Sequence, residues 1–432
     1  MNHYLGIDIG TSGCRSCVID SHAAIKVQIR TTLPAPSRSG NEVEQDPEIW
    51  WSTLAANLDQ LAVEFPLESI AAIALDGTSA TLLCCDASGT PLSPALMYND
   101  ARASEQAAHI EQIAPQDTAA RGASASLAKL LWLLQQPASR TAHHVLHQAD
   151  WLLGRLAERF GSSDENNALK LGYDVVNSCW PAWLAELDIR PSLLPDVVPA
   201  GYPIGTLTEA LCKRWGMSPH TRILSGTTDS TASFIATGAG PGEAVTSLGS
   251  TLVLKILSDT PVFAPGYGVY SHRLGDHWLV GGASNSGGAV LQQYFNHEEI
   301  TRLSNMLSTN QPTGLDYYPL IGTGERFPVN DPDLQPRLAP RPADDAIFLQ
   351  GILEGIAHIE LQGYQKLIEL GAPWPLIVIT TGGGAANDAW STIRAQLLGI
   401  PVVAAEHQEA AYGAALLARK SQTGSAPGNT IL

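Results

Sequence analysis

The chain has 432 residues, of which 44% are hydrophobic and 16% are charged. This length exceeds what one hydrophobic core usually supports, and this composition excludes a disordered chain, so we expect two globular domains. The formal net charge of −17 disfavours nucleic acid and anionic membranes as partners, because an acidic surface repels phosphate groups. Any phosphate that the protein handles must therefore be held by backbone N–H groups, a metal ion or a few local cations.

The first half of the chain alternates predicted strands and helices, which is the rhythm of an α/β domain. The segments are the strands LGIDIG and CVID, the helix PEIWWSTLAANLDQLAVEF, the buried strand SIAAIALDG, the helix RASEQAAHIEQI and a helical region over residues 124–160. His143, His144 and His147 fall in that region at helical spacing, and we interpret them as a solvated helix face. RILSGTTDSTASFIATGAG then predicts a strand, a loop and a helix.

A second cycle begins with EAVTSLGSTLVLKIL, a strand, a glycine turn and a strand that repeat the pattern of the opening GIDIGTSGCRSCVID. The repeat is short, but it suggests two related lobes with one glycine hairpin each. The elements that follow are a proline-rich surface loop at 331–345, a helix at 347–370, the strand, GGG turn and helix of LIVITTGGGAANDAWSTIRAQLLG, the strand VVAAE and the closing helix EAAYGAALLARK. The last dozen residues are polar, and we expect them to be frayed.

Cysteine usage and the chain start predict a cellular location. Cys14 and Cys17 have CxxC spacing, but they lie in a predicted strand, where they point to opposite faces. We therefore interpret the cysteines as reduced, apolar side chains. MNHYLGID runs directly into a strand, and no apolar run approaches the roughly 18 residues of a membrane span, so we predict a cytoplasmic protein without a signal peptide.

The opening hairpin places a carboxylate, Asp8, inside an apolar strand directly before a turn of small residues. Such a turn lets an anion approach its backbone N–H groups, and Thr11 and Ser12 add hydroxyl donors. A carboxylate beside a bound phosphate would repel it unless a divalent cation lay between them, and Mg²⁺ suits both ligands. The motif alone leaves two interpretations open, a phosphate and Mg²⁺ site or an ordinary hairpin with one polar residue.

Two further glycine turns follow. Gly249, Ser250 and Thr251 form either a plain hairpin turn or a second phosphate clamp. In ITTGGGAAND a strand enters a glycine turn and a helix leaves near Asn387, which favours an anion or a polar ligand edge. Trp390 lies three residues later on the same helical face, so it is either a core residue or part of a nucleotide pocket.

Polar residues also stand at the ends of three other predicted strands. Asp229 lies where a strand passes into a helix, so it is either a helix N-cap or the general base of a phosphoryl transfer to a sugar. The segments DGTSAT and YNDAR contain Ser79 and Asp100. Their short polar side chains are either turn residues or contacts for a polyhydroxylated ligand, which needs many donors and acceptors.

The order of these motifs resembles that of the FGGY carbohydrate kinases, in the actin and sugar-kinase ATPase superfamily. The matching segments are GIDIGTSG, YNDAR, SGTTDSTASFIATGAGPGEAVTSLGSTL, ASNSGG, GTGERFPV, EGIAHIELQGYQKL, TGGGAANDAWSTIRAQLLGIPV and EAAYGAALLA, over nearly the whole chain. The resemblance implies an α/β fold of two ribonuclease-H-like lobes with a nucleotide and sugar cleft between them. We expect a sugar-binding lobe over residues 1–236 and an ATP-binding lobe over 237–432, with the final helix near 408–420 packing on the first lobe.

The resemblance also implies roles for single residues. Asp229 matches the catalytic base, Asp8 matches the metal-coordinating acid, and we expect both near the metal and the sugar. The implied cofactors are ATP and Mg²⁺. The residues expected to contact ATP are Thr11, Ser12, Gly249, Ser250, Thr251, Gly383, Gly384, Asn387 and Trp390.

The sugar is predicted from the segment after Leu75. Xylulose kinases of the family typically carry a Met-His pair there, and glycerol kinases carry an Arg-Glu pair near the same region. This chain reads DGTSAT instead, which looks like a small plant and cyanobacterial subgroup that resembles D-ribulose kinases. We expect D-ribulose to become D-ribulose 5-phosphate, with Ser79 and Asp100 among the sugar contacts. D-xylulose, another polyol or a catalytically weak ATP-binding sensor stay open, as do a monomer and a homodimer.

Overall fold

The computed structural model describes residues 2–420, which fold into two compact units. Unit 1 comprises Asn2–Ala236, the short segment His272–Asp276 and Glu409–Lys420. Unit 2 comprises Thr237–Ser271 and His277–Gln408. Within residues 2–420, no helix is both long enough and apolar enough to cross a membrane. The frayed end predicted for the last dozen residues lies outside the described part of the chain.

The strands and helices are numbered in chain order. The strands are β1 His3–Ile9, β2 Gly13–Asp20, β3 Ile25–Thr32, β4 Ser37–Ser39, β5 Glu42–Gln45, β6 Ile70–Gly77, β7 Leu82–Cys85, β8 Ala95–Leu96, β9 His144–His147, β10 Ser162–Asp164, β11 Asp196–Val198, β12 Pro203–Thr206, β13 Arg222–Leu224, β14 Thr227–Thr228, β15 Glu243–Leu248, β16 Leu252–Ser258, β17 Tyr270–Leu274, β18 His277–Ala283, β19 Ile377–Thr381 and β20 Val402–Ala404. The α-helices are α1 Pro47–Glu64, α2 Ser104–Ile113, α3 Ser126–Gln135, α4 Gln148–Ala157, α5 Glu165–Ala168, α6 Glu209–Trp215, α7 Asp229–Ala236, α8 Gly288–Gln292, α9 His297–Ser304, α10 Asp345–Glu369, α11 Asp388–Leu398 and α12 Ala410–Lys420. Mixed strands and helices in both units confirm the predicted α/β class.

The main sheet of unit 1 has the strand order β12-β13-β6-β1-β2-β3, with β14 also paired to β6. Strands β1, β13 and β14 all run parallel to β6. Their carboxyl ends therefore meet at one edge of the sheet, which is where α/β folds usually bind ligands. Strand β2 returns antiparallel beside β1 and places the glycine turn at that same edge.

Helix α12 packs closely on β1 and α7 within unit 1. A methyl group on Gly6 of β1 would lie 2.0 Å from the Ala411 carbonyl oxygen. A methyl group on Gly413 would lie 1.9 Å from the Ala232 carbonyl oxygen. Both positions therefore require glycine, because at each one the backbone of a neighbouring element lies so close that a Cβ atom does not fit.

The sheet of unit 2 repeats the arrangement of the first, which accounts for the similarity of the two glycine hairpins. Within unit 2 the order is β18-β16-β15-β19-β20. Strands β15 and β16 form the antiparallel hairpin, and β19 and β20 continue the sheet in parallel. In both sheets, the first strand of the glycine hairpin also pairs in parallel with the next strand, β1 with β6 and β15 with β19.

The prediction of a helical region over residues 124–160 is wrong for the middle of that region. The structure ends α3 at Gln135, inserts strand β9 and starts α4 at Gln148. His147 is fully buried, and its imidazole nitrogens lie 3.0 Å from the Ser126 hydroxyl and 3.1 Å from an Asp150 carboxylate oxygen. The interpretation of this histidine as part of a solvated face is therefore wrong, because strand pairing with β7 turns it into the core.

Candidate active site

Two aspartates lie side by side at the carboxyl edge of the unit 1 sheet. Asp8 of β1 is the register partner of Asp76 in the neighbouring parallel strand β6. Thr227 of β14 is the partner of Asp76 on its other side, and the chain passes two residues later into α7 at Asp229. Parallel pairing therefore brings Asp8 beside Asp76 and the start of α7 close to them, and the charges of Asp8 and Asp229 both act on Asp76.

Asp8 is buried and held by one cation. The Arg15 guanidinium donates to an Asp8 carboxylate oxygen at 2.7 Å across the β1–β2 hairpin. Burial raises the pKa of Asp8 above its ordinary value, and the hydrogen bond and charge of Arg15 oppose that rise. One arginine therefore offsets only part of the negative charge at this edge.

Asp76 is the residue of this edge that the sequence analysis did not assign to the site. Its side chain is fully buried, and neither carboxylate oxygen accepts a hydrogen bond from a donor in the described part of the chain. Burial raises its pKa well above the ordinary value, the charges of Asp8 and Asp229 raise it further, and a proton that Asp76 can share with the Asp8 carboxylate adds to the rise. Buried carboxylates without a donor are costly, so this arrangement points to a cation or a proton at the site.

The chemistry of these carboxylates fits Mg²⁺. No group of three or more His, Cys, Asp and Glu side chains within residues 2–420 is close enough to enclose a metal ion by itself. Mg²⁺ commonly binds one or two carboxylates and keeps its remaining positions for water and phosphate oxygens. Asp8 and Asp229, with Asp76 behind them, offer that kind of partial shell.

Asp229 opens α7 and is half-buried, with its carboxylate accepting from the Ser230 backbone N–H at 2.7 Å. It takes part in further interactions within the described structure. As the first residue of α7, the acid interacts favourably with the helix dipole, and its charge also acts on Asp76. Its role as a general base stays a prediction.

The first glycine turn is short and closed. The Gly10 backbone N–H donates to the Gly13 carbonyl oxygen at 3.0 Å, and the Ser12 carbonyl oxygen accepts from Leu33. Thr11 is half-buried and Ser12 is exposed, so both hydroxyls are open to solvent or ligand at least in part. The turn lies directly beyond Asp8, as expected for a phosphate contact.

The two predicted sugar contacts differ in burial and in the hydrogen bonds that their side chains already make. Ser79 is half-buried in the turn between β6 and β7. Asp100 is fully buried, and its carboxylate accepts from the Val43 backbone N–H at 2.6 Å and from the Arg102 side chain at 2.8–3.1 Å. A sugar hydroxyl that donates to Asp100 would have to compete with these donors for the carboxylate oxygens, whereas the Ser79 hydroxyl has no such competitor within residues 2–420.

The second glycine turn and the GGG segment line one cavity in unit 2. The cavity has a volume of about 530 Å³. Its wall includes Gly249, Ser250, Gly383, Gly384, Asn387 and Trp390. Thr251 belongs to the turn but does not line the cavity. The structure therefore brings together six of the predicted nucleotide contacts, in a volume within the ordinary range for small-molecule sites.

The glycine segment leads from β19 into α11. A methyl group on Gly384 would lie 2.6 Å from Leu248 Cβ, whereas one on Gly383 would meet nothing within 4 Å. Gly384 is thus required by packing, and Gly383 leaves open space at the cavity wall. Asn387 caps α11 by accepting from the Trp390 backbone N–H at 3.0 Å, which fixes the helix start beside the cavity.

Trp390 lies both in the hydrophobic core and at the cavity wall. Its side chain is 1% exposed, and its indole N–H donates to the Leu353 carbonyl oxygen at 3.1 Å, as for a core residue. It also lines the cavity. An apolar ring held this firmly forms a rigid wall for a flat ligand.

Helix α9 forms the opposite wall and was missed in the sequence analysis. His297, Ile300, Thr301, Ser304 and Asn305 line the cavity from this side. The Asn387 side-chain amide donates to the Ser304 hydroxyl at 2.9 Å and so joins the two walls. The capping box of Asn296 and Glu299 was a readable helix signal, but nothing in the sequence linked that helix to a segment over 80 residues away.

Family models match almost the whole chain. The N-terminal domain of the FGGY family of carbohydrate kinases matches residues 3–236, and the C-terminal domain matches residues 244–421. The chain belongs to the FGGY family of carbohydrate kinases. It is therefore a sugar kinase, an ATP-dependent phosphotransferase with an alcohol group as acceptor.

Curated relatives and solved structures agree with this membership. A xylulose kinase from Streptomyces coelicolor is 28% identical over 97% of this chain and 88% of its own length. A xylulose kinase from Staphylococcus xylosus is 23% identical over 97% of this chain and 90% of its own length. A xyloylose kinase structure from Brucella ovis has a TM-score of 0.89 at 24% identity, covering 99% of this chain and 93% of that one. Plasmodium falciparum glycerol kinase with ADP has a TM-score of 0.86 at 18% identity, covering 98% and 90%. These likenesses confirm the actin-like ATPase type of fold.

Proposed function

We propose that this FGGY kinase uses ATP and Mg²⁺ to phosphorylate a ketopentose, and that D-ribulose is its substrate. The observation that carries the proposal is the group of carboxylates at the edge of the unit 1 sheet, where Asp229 opens a helix beside two strand-end acids. Relatives named xylulose kinase support a ketopentose in general. The segment DGTSAT, which replaces the Met-His pair of such kinases, favours D-ribulose. A cytoplasmic location stays a prediction.

The Asp229 carboxylate would act as general base. It would take the proton of the sugar 5-hydroxyl as that oxygen bonds to the γ-phosphorus of ATP, while the bond from phosphorus to the leaving ADP oxygen breaks. Ser79 would orient the sugar by hydrogen bonding, because its half-buried hydroxyl forms no hydrogen bond with any of the described residues 2–420. Positioning of this kind accounts for much of the rate of phosphoryl transfer.

Asp8 and Asp229 would hold Mg²⁺, and Asp76 would add negative charge behind them. The ion, when bound, would neutralise the phosphate oxygens, which three carboxylates would otherwise repel. The Thr11 and Ser12 hydroxyls would donate to phosphate oxygens beside Asp8. The cavity in unit 2 would take the adenosine half of the nucleotide, with Trp390 and Ile300 as apolar walls.

D-xylulose is the second candidate, because it is the sugar named for the curated relatives. The purified protein should be mixed with ATP, Mg²⁺ and a panel of D-ribulose, D-xylulose, L-ribulose, glycerol and gluconate, and ADP formation should be recorded. We expect D-ribulose to give the highest kcat/KM. A higher value for D-xylulose would move the assignment to that sugar, and ADP formation no faster than without sugar for every compound would refute the ketopentose proposal.

A further inference from the structure

A fully buried lysine, Lys129, joins the two segments that are predicted to contact the sugar. It lies on α3, and its ammonium group donates to the Ala80 carbonyl oxygen at 2.8 Å and to the Met97 carbonyl oxygen at 2.7 Å. Ala80 follows Ser79 in the chain, and Met97 precedes Asp100 by three residues. One side chain therefore holds the backbone of both segments.

Lys129 has no direct ion-pair partner in the described structure. The acid whose charge acts on it is Asp100, whose carboxylate is already bonded to Arg102 and the Val43 backbone. Burial lowers the pKa of Lys129 to about 7, which reflects the cost of this environment for a charge. Lysines are almost never buried without a paired charge, so stability of the core does not explain this one.

The turn that Lys129 holds has an unusual backbone. Ala80 has a φ of 66°, in the left-handed region that a residue with a Cβ atom seldom adopts. Such a conformation costs of order 1 kcal/mol and persists only where surrounding contacts enforce it. Gln148 enforces it from one side by accepting from the Thr78 backbone N–H at 3.0 Å, and Lys129 enforces it from the other.

A second contact joins the same two segments. The Thr81 hydroxyl accepts from the Tyr98 backbone N–H at 3.0 Å and lies 2.6 Å from the Thr78 hydroxyl. Loss of Lys129 would leave this hydrogen bond, together with the neighbouring β7–β8 pairing of Leu82 with Leu96, between the segments. The turn could then relax at Ala80 and displace the neighbouring Ser79 side chain.

We propose that Lys129 is a positioning residue that holds the turn of Ser79 and the segment of Asp100 in one arrangement and thereby sets the affinity for the sugar. This inference rests on the proposed function for its kinetic consequence. Its structural consequence, the fixed backbone of both segments, does not depend on which sugar is used.

The kinetic test compares full-length wild type with Lys129→Met, which keeps length and apolar contacts but removes every donor. We expect the sugar KM to rise at least about tenfold, because displacement of a positioning group by an ångström costs that much or more. The ATP KM should stay within about twofold, because the cavity residues are in unit 2. Leu133→Met is the matched control, since it alters the buried face of the same helix, and its sugar KM should match wild type.

A merely structural lysine would lower the melting temperature and leave the sugar KM unchanged, and that result would overturn the proposal. If Lys129→Met gives no folded protein, Lys129→Gln keeps two donors on a side chain too short to reach both carbonyls. The same rise in sugar KM is expected there, and an unchanged KM in a folded Gln variant would overturn the proposal equally.

Hydrogen exchange measured by mass spectrometry separates this inference from the proposed function. In Lys129→Met we expect faster exchange of amides in residues 78–81 and 97–100 than in wild type, and unchanged exchange in α9 and α11. If no sugar is phosphorylated by wild type but this exchange pattern holds, the proposed function fails and the positioning role stands. Equal exchange of both segments in the two proteins refutes the positioning role, whatever the sugar.

Discussion

The strand-end acids of unit 1 and the cavity of unit 2 differ in how well their polar groups are satisfied. At the unit 1 edge, Asp76 has no hydrogen-bond donor within the described residues, and Arg15 is the cation bonded to Asp8. Around the cavity, by contrast, the Asn387 amide and carbonyl groups are both bonded, and the Trp390 indole N–H has an acceptor. The unit 1 edge therefore carries buried negative charge that the protein neutralises only in part. The polar groups of Asn387 and Trp390 at the cavity already have hydrogen-bond partners.

This contrast indicates a division of labour. Buried carboxylates without donors are expensive and are kept where charge and protons are handled. A partly apolar wall whose polar groups are hydrogen-bonded carries no such desolvation cost, and it suits the binding of a nucleoside. We therefore expect substitutions at the unit 1 edge to act on turnover, and substitutions at the cavity to act on nucleotide affinity.

The largest effect is expected for Asp229→Asn. Loss of the general base should lower kcat by about 10²–10⁴-fold. ADP affinity, measured by calorimetry, should change by less than about twofold, because the cavity is untouched. A variant that retains wild-type turnover would remove Asp229 from the role of base.

Asp8→Asn should next show whether the acid edge holds Mg²⁺. The amide is a weaker Mg²⁺ ligand, so the Mg²⁺ concentration for half-maximal activity should rise roughly tenfold or more. Direct Mn²⁺ binding, followed by electron paramagnetic resonance, should weaken in parallel. Asp20→Asn is the control, because that acid lies at the far end of β2 and pairs with Lys26 at 2.6 Å. Equal Mn²⁺ affinity in the Asp8 variant and the control would contradict the metal assignment.

Thr301→Trp should show whether the cavity binds the nucleotide. Thr301 is exposed on α9 and lines the cavity, so an indole there would occupy the ligand's space at little cost to folding. We expect ADP affinity to fall about tenfold, or about 1.4 kcal/mol. Thr392→Trp is matched, because it is also an exposed helical threonine bonded to a carbonyl four residues earlier, but it does not line the cavity. Equal ADP affinity in the two variants would place the nucleotide elsewhere.

A further effect, on stability rather than on turnover or ligand affinity, concerns pH and the buried Lys129. Its pKa is about 7 in the folded protein and about 10.5 when unfolded, so the unfolded chain binds more protons between these values. The unfolding free energy due to this group therefore rises with pH across that window. The stability difference between wild type and Lys129→Met should increase by about 2 kcal/mol from pH 7 to 9. Denaturant unfolding at both pH values measures it, and a constant difference would mean that Lys129 stays charged in the fold.

Much of the fold was readable from the sequence because its signals are local. The opening hairpin, the helix at Pro47–Glu64 and the strand, GGG turn and helix near Trp390 all follow from periodicity, capping and glycine turns. The region 124–160 was misread because β9 is short and takes its strand conformation from pairing with β7. Four-residue strands between helices have too little periodicity to be recognised alone.

The site was only partly predictable for a related reason. Asp8 and Asp229 stood out because each adjoins a glycine turn or a helix start. Asp76, in DGTSAT, was left open between a turn residue and a ligand contact, because its place beside Asp8 comes from the register of two strands. Lys129 was hidden in an apolar stripe, and its two carbonyl partners lie 49 and 32 residues away in the chain. Contacts of this range are set by tertiary packing and leave no local pattern.

The division of labour is tested most directly by turnover at saturating ATP, Mg²⁺ and sugar, compared between Asp229→Asn and Thr301→Trp. High ATP compensates for a weakened nucleotide site but cannot restore a missing base. We therefore predict turnover within a few-fold of wild type for Thr301→Trp and a loss of at least about 10²-fold for Asp229→Asn. Near-normal turnover in the aspartate variant, or an equally deep loss in the threonine variant despite saturation, would contradict the account.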